Sequence, residues 1–103
     1  MTDTLVVAAP GQLTAETRLE FRAAALECLE RVVQLGVAAL AIDFAATRIV
    51  DASGLGTLVM VHKRAREQGI ATRLLHVSSA VRDLLETTRL EPLFQFPPEA
   101  VAG

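Results

Sequence analysis

The chain has 103 residues, enough for one domain with a buried core but not for two. Apolar residues make up 51% and charged residues 21%, a balance that excludes a chain disordered by composition. Ten Lys and Arg against twelve Asp and Glu leave a formal net charge of -2, and the aromatics are four Phe with no Trp or Tyr. That balance gives no reason to expect the phosphate neutralisation and base stacking on which nucleic-acid binders depend, and no nucleic-acid partner is expected.

At the start, Met1-Thr2-Asp3-Thr4 lacks a positive leader, and the apolar run Leu5 to Ala9 is cut by Pro10-Gly11. That run is too short for a signal peptide or a membrane span, so a soluble, cytoplasmic protein is expected. Leu5 to Ala8 reads as a strand and Pro10-Gly11 as a turn. From Thr14 to Leu35 the pattern is helical, with Leu19, Ala23, Leu26 and Val33 on one face. Thr17-Arg-Leu-Glu20 has the form of a capping box, Thr14 is a rival start, and Gly36 is placed to cap the end. The one cysteine, Cys28, lies within this helix as a small buried hydrophobe; a single thiol closes no intrachain disulfide, which points to a reducing compartment.

Val37 to Ile42 is apolar on both faces, the pattern of a central strand covered above and below. A connection from Asp43 to Asp51 carries the apolar pair Ile49-Val50. A second helix is expected from about Ser53 to Gln68, with Leu55, Leu58, Val59 and His62 inward and Lys63, Arg64, Arg66 and Glu67 outward, closed by Gly69. Ile70 to Val77 reads as a strand. Ser78 or Ser79 caps a third helix with Val81, Leu84, Leu85 and Thr88 on one face, ended by Pro92. Phe94-Gln-Phe96 reads as a short edge strand or a packed loop, and Pro97-Pro98 leads to a fraying tail, 99–103. Strands alternating with helices at this spacing predict an α/β single domain over 1–103, its core about 5–96, with a small mostly parallel sheet.

The segment richest in chemical signals is Ile49-Val50-Asp51-Ala52-Ser53-Gly54-Leu55-Gly56-Thr57, a loop feeding a helix N-terminus. Asp51 and Ser53 are placed to accept from orphan N–H groups, and glycines let another backbone approach closely. Ser53 reads as exposed near the positive end of a helix dipole. A phosphate there is favoured by about 0.3–1 kcal/mol at a surface while placing nearly two negative charges on any docking face. An ordinary capped helix start with glycines for tight packing fits the same spacing.

Enzymatic patterns do not fit. A nucleophile elbow needs glycines where Asp51 and Leu55 stand, no Lys follows Gly56 as a phosphate-binding loop requires, and the dinucleotide pattern lacks its third glycine. No Cys/His/Asp cluster has metal-ligand spacing; Asp43 and Asp51 are two carboxylates without a third oxygen ligand. His62 is in phase with Leu55 and Val59, as a packed histidine would be, and His76 has no evident catalytic or metal partner. Lys63, Arg64 and Arg66 form a basic strip, either a solvated face or a docking surface for an acidic partner. No catalytic residue, metal or cofactor is expected.

Val50-Asp51-Ala52-Ser53-Gly54-Leu55-Gly56, followed by Lys63-Arg-Ala-Arg66 and Gly69, resembles the STAS domain, and more narrowly the bacterial anti-sigma factor antagonists with their Asp-Ser-Ser/Thr-Gly-Leu-Gly pattern. Pro10 to Thr14, Ala41-Ile42-Asp43-Phe44, Val77-Ser78 to Leu85 and Leu90-Glu-Pro-Leu-Phe94 resemble further family segments in the same order, so the likeness runs over roughly 5–96. It implies a STAS-like α/β fold and a binding module rather than an enzyme. It further implies that the unphosphorylated chain captures an anti-sigma factor that is also a GHKL-type Ser/Thr kinase. Phosphorylation at the position matching Ser53 then ends the complex, and a PP2C-type phosphatase resets it. Asp51, Ala52, Ser53, Gly54, Leu55, Gly56 and Thr57 would form the docking loop. Ala52 stands where the family has a hydroxyl, leaving Ser53 as the one acceptor among residues 51–56. A STAS subunit that scaffolds a stressosome-like or ABC-transporter complex without a phosphorylation cycle would carry similar residues.

Overall fold

The computed structural model describes residues 3–98. In chain order the elements are β1 (Thr4–Ala8), β2 (Gln12–Leu13), α1 (Arg18–Leu35), β3 (Ala39–Asp43), β4 (Ile49–Val50), α2 (Ala52–Glu67), β5 (Ala71–Leu75), α3 (Ser79–Thr87) and a 3-10 turn, Glu91–Leu93. Strands β1, β3 and β5 form a parallel sheet in that spatial order, and β2 pairs with β4 in a second, two-stranded parallel sheet. This is the small parallel sheet with packed helices that the alternation predicted.

The sheet is parallel because each strand returns through a helix, and its register sorts the side chains. Leu5, Leu40 and Thr72 lie side by side, as do Val7, Ile42 and Leu74. Alternation along a strand puts these on one face. There Leu40, Ile42 and Leu74 join a single buried cluster with Phe21, Ala25, Leu29 and Val32 of α1, Leu58, Val61 and Ala65 of α2, and Val81 and Leu85 of α3. The expected central strand is therefore β3, whose Ala39 to Ile42 are wholly buried.

Its second face is covered differently from expectation. Arg73, level with Ala41, extends across β3 to β1: its Nη1 donates to Thr4 Oγ1 at 2.7 Å and Asp3 Oδ1 at 3.2 Å, while its Nε donates to Gln95 Oε1 at 3.1 Å. Only side chains as small as Ala39 and Ala41 leave room for an arginine stem laid over the strand.

Helix α1 corrects the predicted phase. Its buried residues are Phe21, Ala25, Leu29 and Val32, whereas Leu19 is 61% exposed and Val33 43%. Both sets follow helical spacing; the approach of α2 and the sheet selects the one carrying Phe21. Nor is Thr17 the head of a capping box: its side chain makes no cap bond, and its Oγ1 donates instead to the Gln12 carbonyl at 2.6 Å. Residues 14–17 form a turn, with the Arg18 N–H donating to the Thr14 carbonyl. Gly36 ends the helix as expected, at φ 69°.

Ser78 caps α3, its hydroxyl accepting from the Val81 N–H at 3.2 Å. The helix stops at Thr87, short of Pro92, because Arg89 turns left-handed at φ 60° and Leu90 N–H closes back on the Leu85 carbonyl. Pro92 instead sits within the 3-10 turn. Gln95 then adds a one-residue parallel bridge beside β5, so Phe94-Gln-Phe96 is the short edge segment. Arg82 fixes it, pairing with Glu91 Oε2 at 2.6 Å and lying 4.0 Å over the Phe96 ring. The predicted tail, 99–103, lies outside the described residues.

The burial contrast along neighbouring strands is testable by urea unfolding. Ile42→Ala is expected to cost about 2–5 kcal/mol, since its side chain is fully buried. Val6→Ala, at a side chain 56% exposed, is expected to stay within about 0.5 kcal/mol of wild type.

Candidate functional site

The site is built on the start of α2. β4 delivers the chain to Asp51, which caps the helix from an extended backbone, ψ -176°. Asp51 Oδ1 accepts from the Gly54 N–H at 2.8 Å, and Oδ2 accepts from the Ala15 N–H at 3.1 Å. One carboxylate thus satisfies an orphan donor of α2 and a donor in the turn before α1. The Asp51 N–H donates to the Leu13 carbonyl, and the Leu55 N–H to the Asp51 carbonyl. The bond from Gly54, followed by that from Ala15, holds the Asp51 carboxyl below its ordinary value of 3.8.

Asp51 is the cap, and Ser53 is not: Ser53 is the second helical residue. It is half-buried rather than freely exposed, and no hydrogen bond holds its hydroxyl among the described residues. It lies in a groove of about 280 Å³ between α1 and α2, lined by Arg18, Arg22, Ser53, Gly56, Thr57 and Met60. The two arginines are absent from the sequence reading. They belong to α1, remote in sequence from Ser53, and only the α1–α2 packing places them there.

The motif's remaining residues divide by role. A Cβ on Gly54 would stand 2.1 Å from the Leu13 carbonyl oxygen, so this glycine exists for the contact of α2 with β2. Gly56 is the opposite case: a Cβ there meets nothing within 4 Å. The fold does not need a glycine at 56, although glycine inside a helix costs about 0.5–1 kcal/mol relative to alanine. Thr57 is buried, and its hydroxyl donates to the Ser53 carbonyl at 3.0 Å. Leu55 is half-buried against the core, and Ala52 is exposed. The surface presented at the motif is thus chiefly Ala52, Gly56 and part of Ser53.

The other candidate residues fall elsewhere. His76 pairs with a carboxylate distant in sequence: its Nδ1 lies 2.9 Å from Asp43 Oδ1, where β3 and β5 end side by side. Asp43 also accepts from the Ala45 N–H, and that bond with the His76 contact lowers its pKa. Asp43 and Asp51 are therefore engaged separately, and among the described residues no group of three His, Cys, Asp or Glu is arranged to hold a metal ion. His62 is half-buried, its ring edge-on to Phe94 at 5.6 Å, and burial followed by Arg66 lowers its pKa. Cys28 is half-buried, and burial raises its thiol pKa. Lys63, Arg64 and Arg66 are exposed on α2, away from its buried face. Among the described residues no helix is long and apolar enough to cross a membrane.

The family model for the STAS domain matches residues 2–101. No curated protein sequence matches the chain. Among solved structures, a candidate anti-sigma factor antagonist from Thermotoga maritima, TM1081, superposes with a TM-score of 0.78 at 17% identity, covering 93% of this chain and 80% of that one. The anti-sigma factor antagonist SpoIIAA in its unphosphorylated form gives 0.67 at 19% identity, with 96% and 82% covered. Bacillus SpoIIAA in the phosphorylated form gives 0.63 at 20%, with 94% and 85% covered. A sulfate transporter family protein from Wolinella succinogenes gives 0.69 at 15%, with 88% and 71% covered. At these identities the likeness is one of fold.

Two outcomes check the division of roles. Gly54→Ala is expected to lower stability by about 1–3 kcal/mol through overpacking on Leu13, whereas Gly56→Ala is expected to raise it by about 0.5–1 kcal/mol, both read by urea unfolding. The pH dependence of stability has a defined sign. With its folded pKa depressed, Asp51 contributes fully above 3.8 and loses that contribution as pH falls through the lower folded value. Asp51→Asn, which keeps one cap acceptor, is therefore expected to flatten the fall in stability measured below pH 3.8.

Proposed function

We propose that this chain, which belongs to the STAS domain family, is a cytoplasmic anti-sigma factor antagonist switched by phosphorylation of Ser53. Unphosphorylated, it docks through Asp51 to Thr57 onto an anti-sigma factor that is also a GHKL-type Ser/Thr kinase, releasing a sigma factor for transcription. It acts as a binding module and not as an enzyme.

The observation that carries this reading is Gly56. A glycine that weakens its own helix, and that nothing in the fold requires, leaves room for close approach from outside, three residues beyond the candidate acceptor. The unbonded Ser53 hydroxyl at the start of α2 supports it further. In the transfer the kinase supplies ATP. A bond forms between Ser53 Oγ and the γ-phosphorus, the bond to the β–γ bridging oxygen breaks, ADP leaves, and a base on the kinase takes the hydroxyl proton. The added dianion then opposes re-docking by charge and by size. A PP2C-type phosphatase would restore the serine. The SpoIIAA fold, known in both unphosphorylated and phosphorylated forms, is compatible with such a cycle.

The likeness to a sulfate transporter family protein favours one alternative, a STAS subunit that joins a larger assembly, stressosome-like or transporter-bound, with no phosphorylation cycle.

Incubation with ATP and the anti-sigma kinase of the same genome separates the two, read by intact mass and by titration of the complex. The switch predicts one added phosphate on wild type and none on Ser53→Ala. It also predicts that Ser53→Ala stays bound in ATP and that Ser53→Asp binds about tenfold or more weakly. A stable complex with no phosphate on wild type would select the alternative.

A further inference from the structure

Resting on the reading of Ser53 as the phosphorylated residue, we propose that Arg18 and Arg22 of α1 are the intramolecular receptor for its phosphate. The modified serine would then be held in the α1–α2 groove rather than projecting into solvent.

The groove of about 280 Å³ is lined by both arginines together with Ser53, Gly56, Thr57 and Met60, and by no carboxylate among the described residues. Ser53 is half-buried there, so a dianion on its oxygen loses part of its water and needs counter-charge close by. The arginines are four residues apart on one helix face, a like-charge spacing that disfavours the helix unless an anion sits between them. Neither takes part in an ion pair among the described residues, in contrast to Arg73 and Arg82, which are both engaged. Guanidinium groups present forked donors that match phosphate oxygens, and the positive end of the α2 dipole lies on the acceptor's own helix. A phosphate on Ser53 thus has the two arginines of α1 across the groove and the positive end of the α2 dipole behind it. Capture would tie α1 to α2 at the docking end, so phosphorylation would act by rigid closure of the groove as well as by charge.

The test installs phosphoserine at position 53 of the full chain genetically, without any kinase, and follows the phosphate by phosphorus NMR as a function of pH. Cations beside the phosphate favour its dianion, so its second pKa, ordinarily about 6, is expected to fall by at least about half a unit, a threefold change in the dissociation constant, relative to the same protein unfolded in urea. The double variant Arg18→Gln/Arg22→Gln carrying the same phosphoserine is expected to restore the unfolded value; its fold is checked by the melting temperature of its unphosphorylated form. Wild-type phosphate that titrates as in the unfolded chain would overturn the proposal without needing either variant. A lowered pKa that persists in the double variant would overturn it too, assigning the effect to the helix N-terminus alone. Because no kinase enters the experiment, failure of a kinase to modify Ser53 refutes the switch and not the receptor, and an unshifted phosphate refutes the receptor and not the switch.

Discussion

The Asp51 carboxylate is the joint on which the candidate site turns. Its two oxygens bond to donors from separate parts of the chain, the Gly54 N–H inside α2 and the Ala15 N–H in the turn before α1. The short β2–β4 pairing brings these segments together, and Gly54 lets α2 settle directly on the backbone of Leu13. Without that close approach the helix start would stand away from β2, and the groove that holds Ser53 beside Arg18 and Arg22 would lose a wall. The motif's acidic residue and first glycine are thus architectural. They set the position of the serine and leave the contact with a partner to its neighbours.

Much of the fold was legible in the sequence because it is set by local rules. A two-sided apolar run became β3, Gly36 took the left-handed conformation that ends α1, and Ser78 capped α3. The failures share a cause. Helix α1 carries two interleaved apolar sets at helical spacing, and choosing Phe21, Ala25, Leu29 and Val32 over Leu19, Ala23, Leu26 and Val33 needs the tertiary partner. Strands of two residues, β2 and β4, have too few side chains to show a period. Thr17 has the letters of a capping box, yet its hydroxyl is taken by the Gln12 carbonyl.

The candidate site was legible as a motif but not as an arrangement. Position 53 could be singled out from the residues around it, while its half-burial and its arginine neighbours follow from helix packing. The pairing of His76 with Asp43 was hidden for a related reason: two strand ends must lie in register before residues 33 apart can meet. The contrast between the glycines at 54 and 56 likewise needs coordinates, since in the sequence the two have equal standing. Family membership follows from the STAS match over residues 2–101, and the fold from the superposition on TM1081.

Arg73 gives the sheet a further property. One guanidinium bonds Asp3 and Thr4 near the start of the described chain and Gln95 near its end, passing over β3 on the way. The first and last segments of the described chain therefore share one side-chain tie, beside the backbone bonds each makes to the sheet. Anything joined to either end, a fusion partner or a neighbouring domain, would pull on the same knot, and strain at one terminus would be felt at the other across the width of the sheet. Ala39 and Ala41 are the clearance beneath it, so the smallest side chains on that face let one side chain link the first strand to the last edge segment.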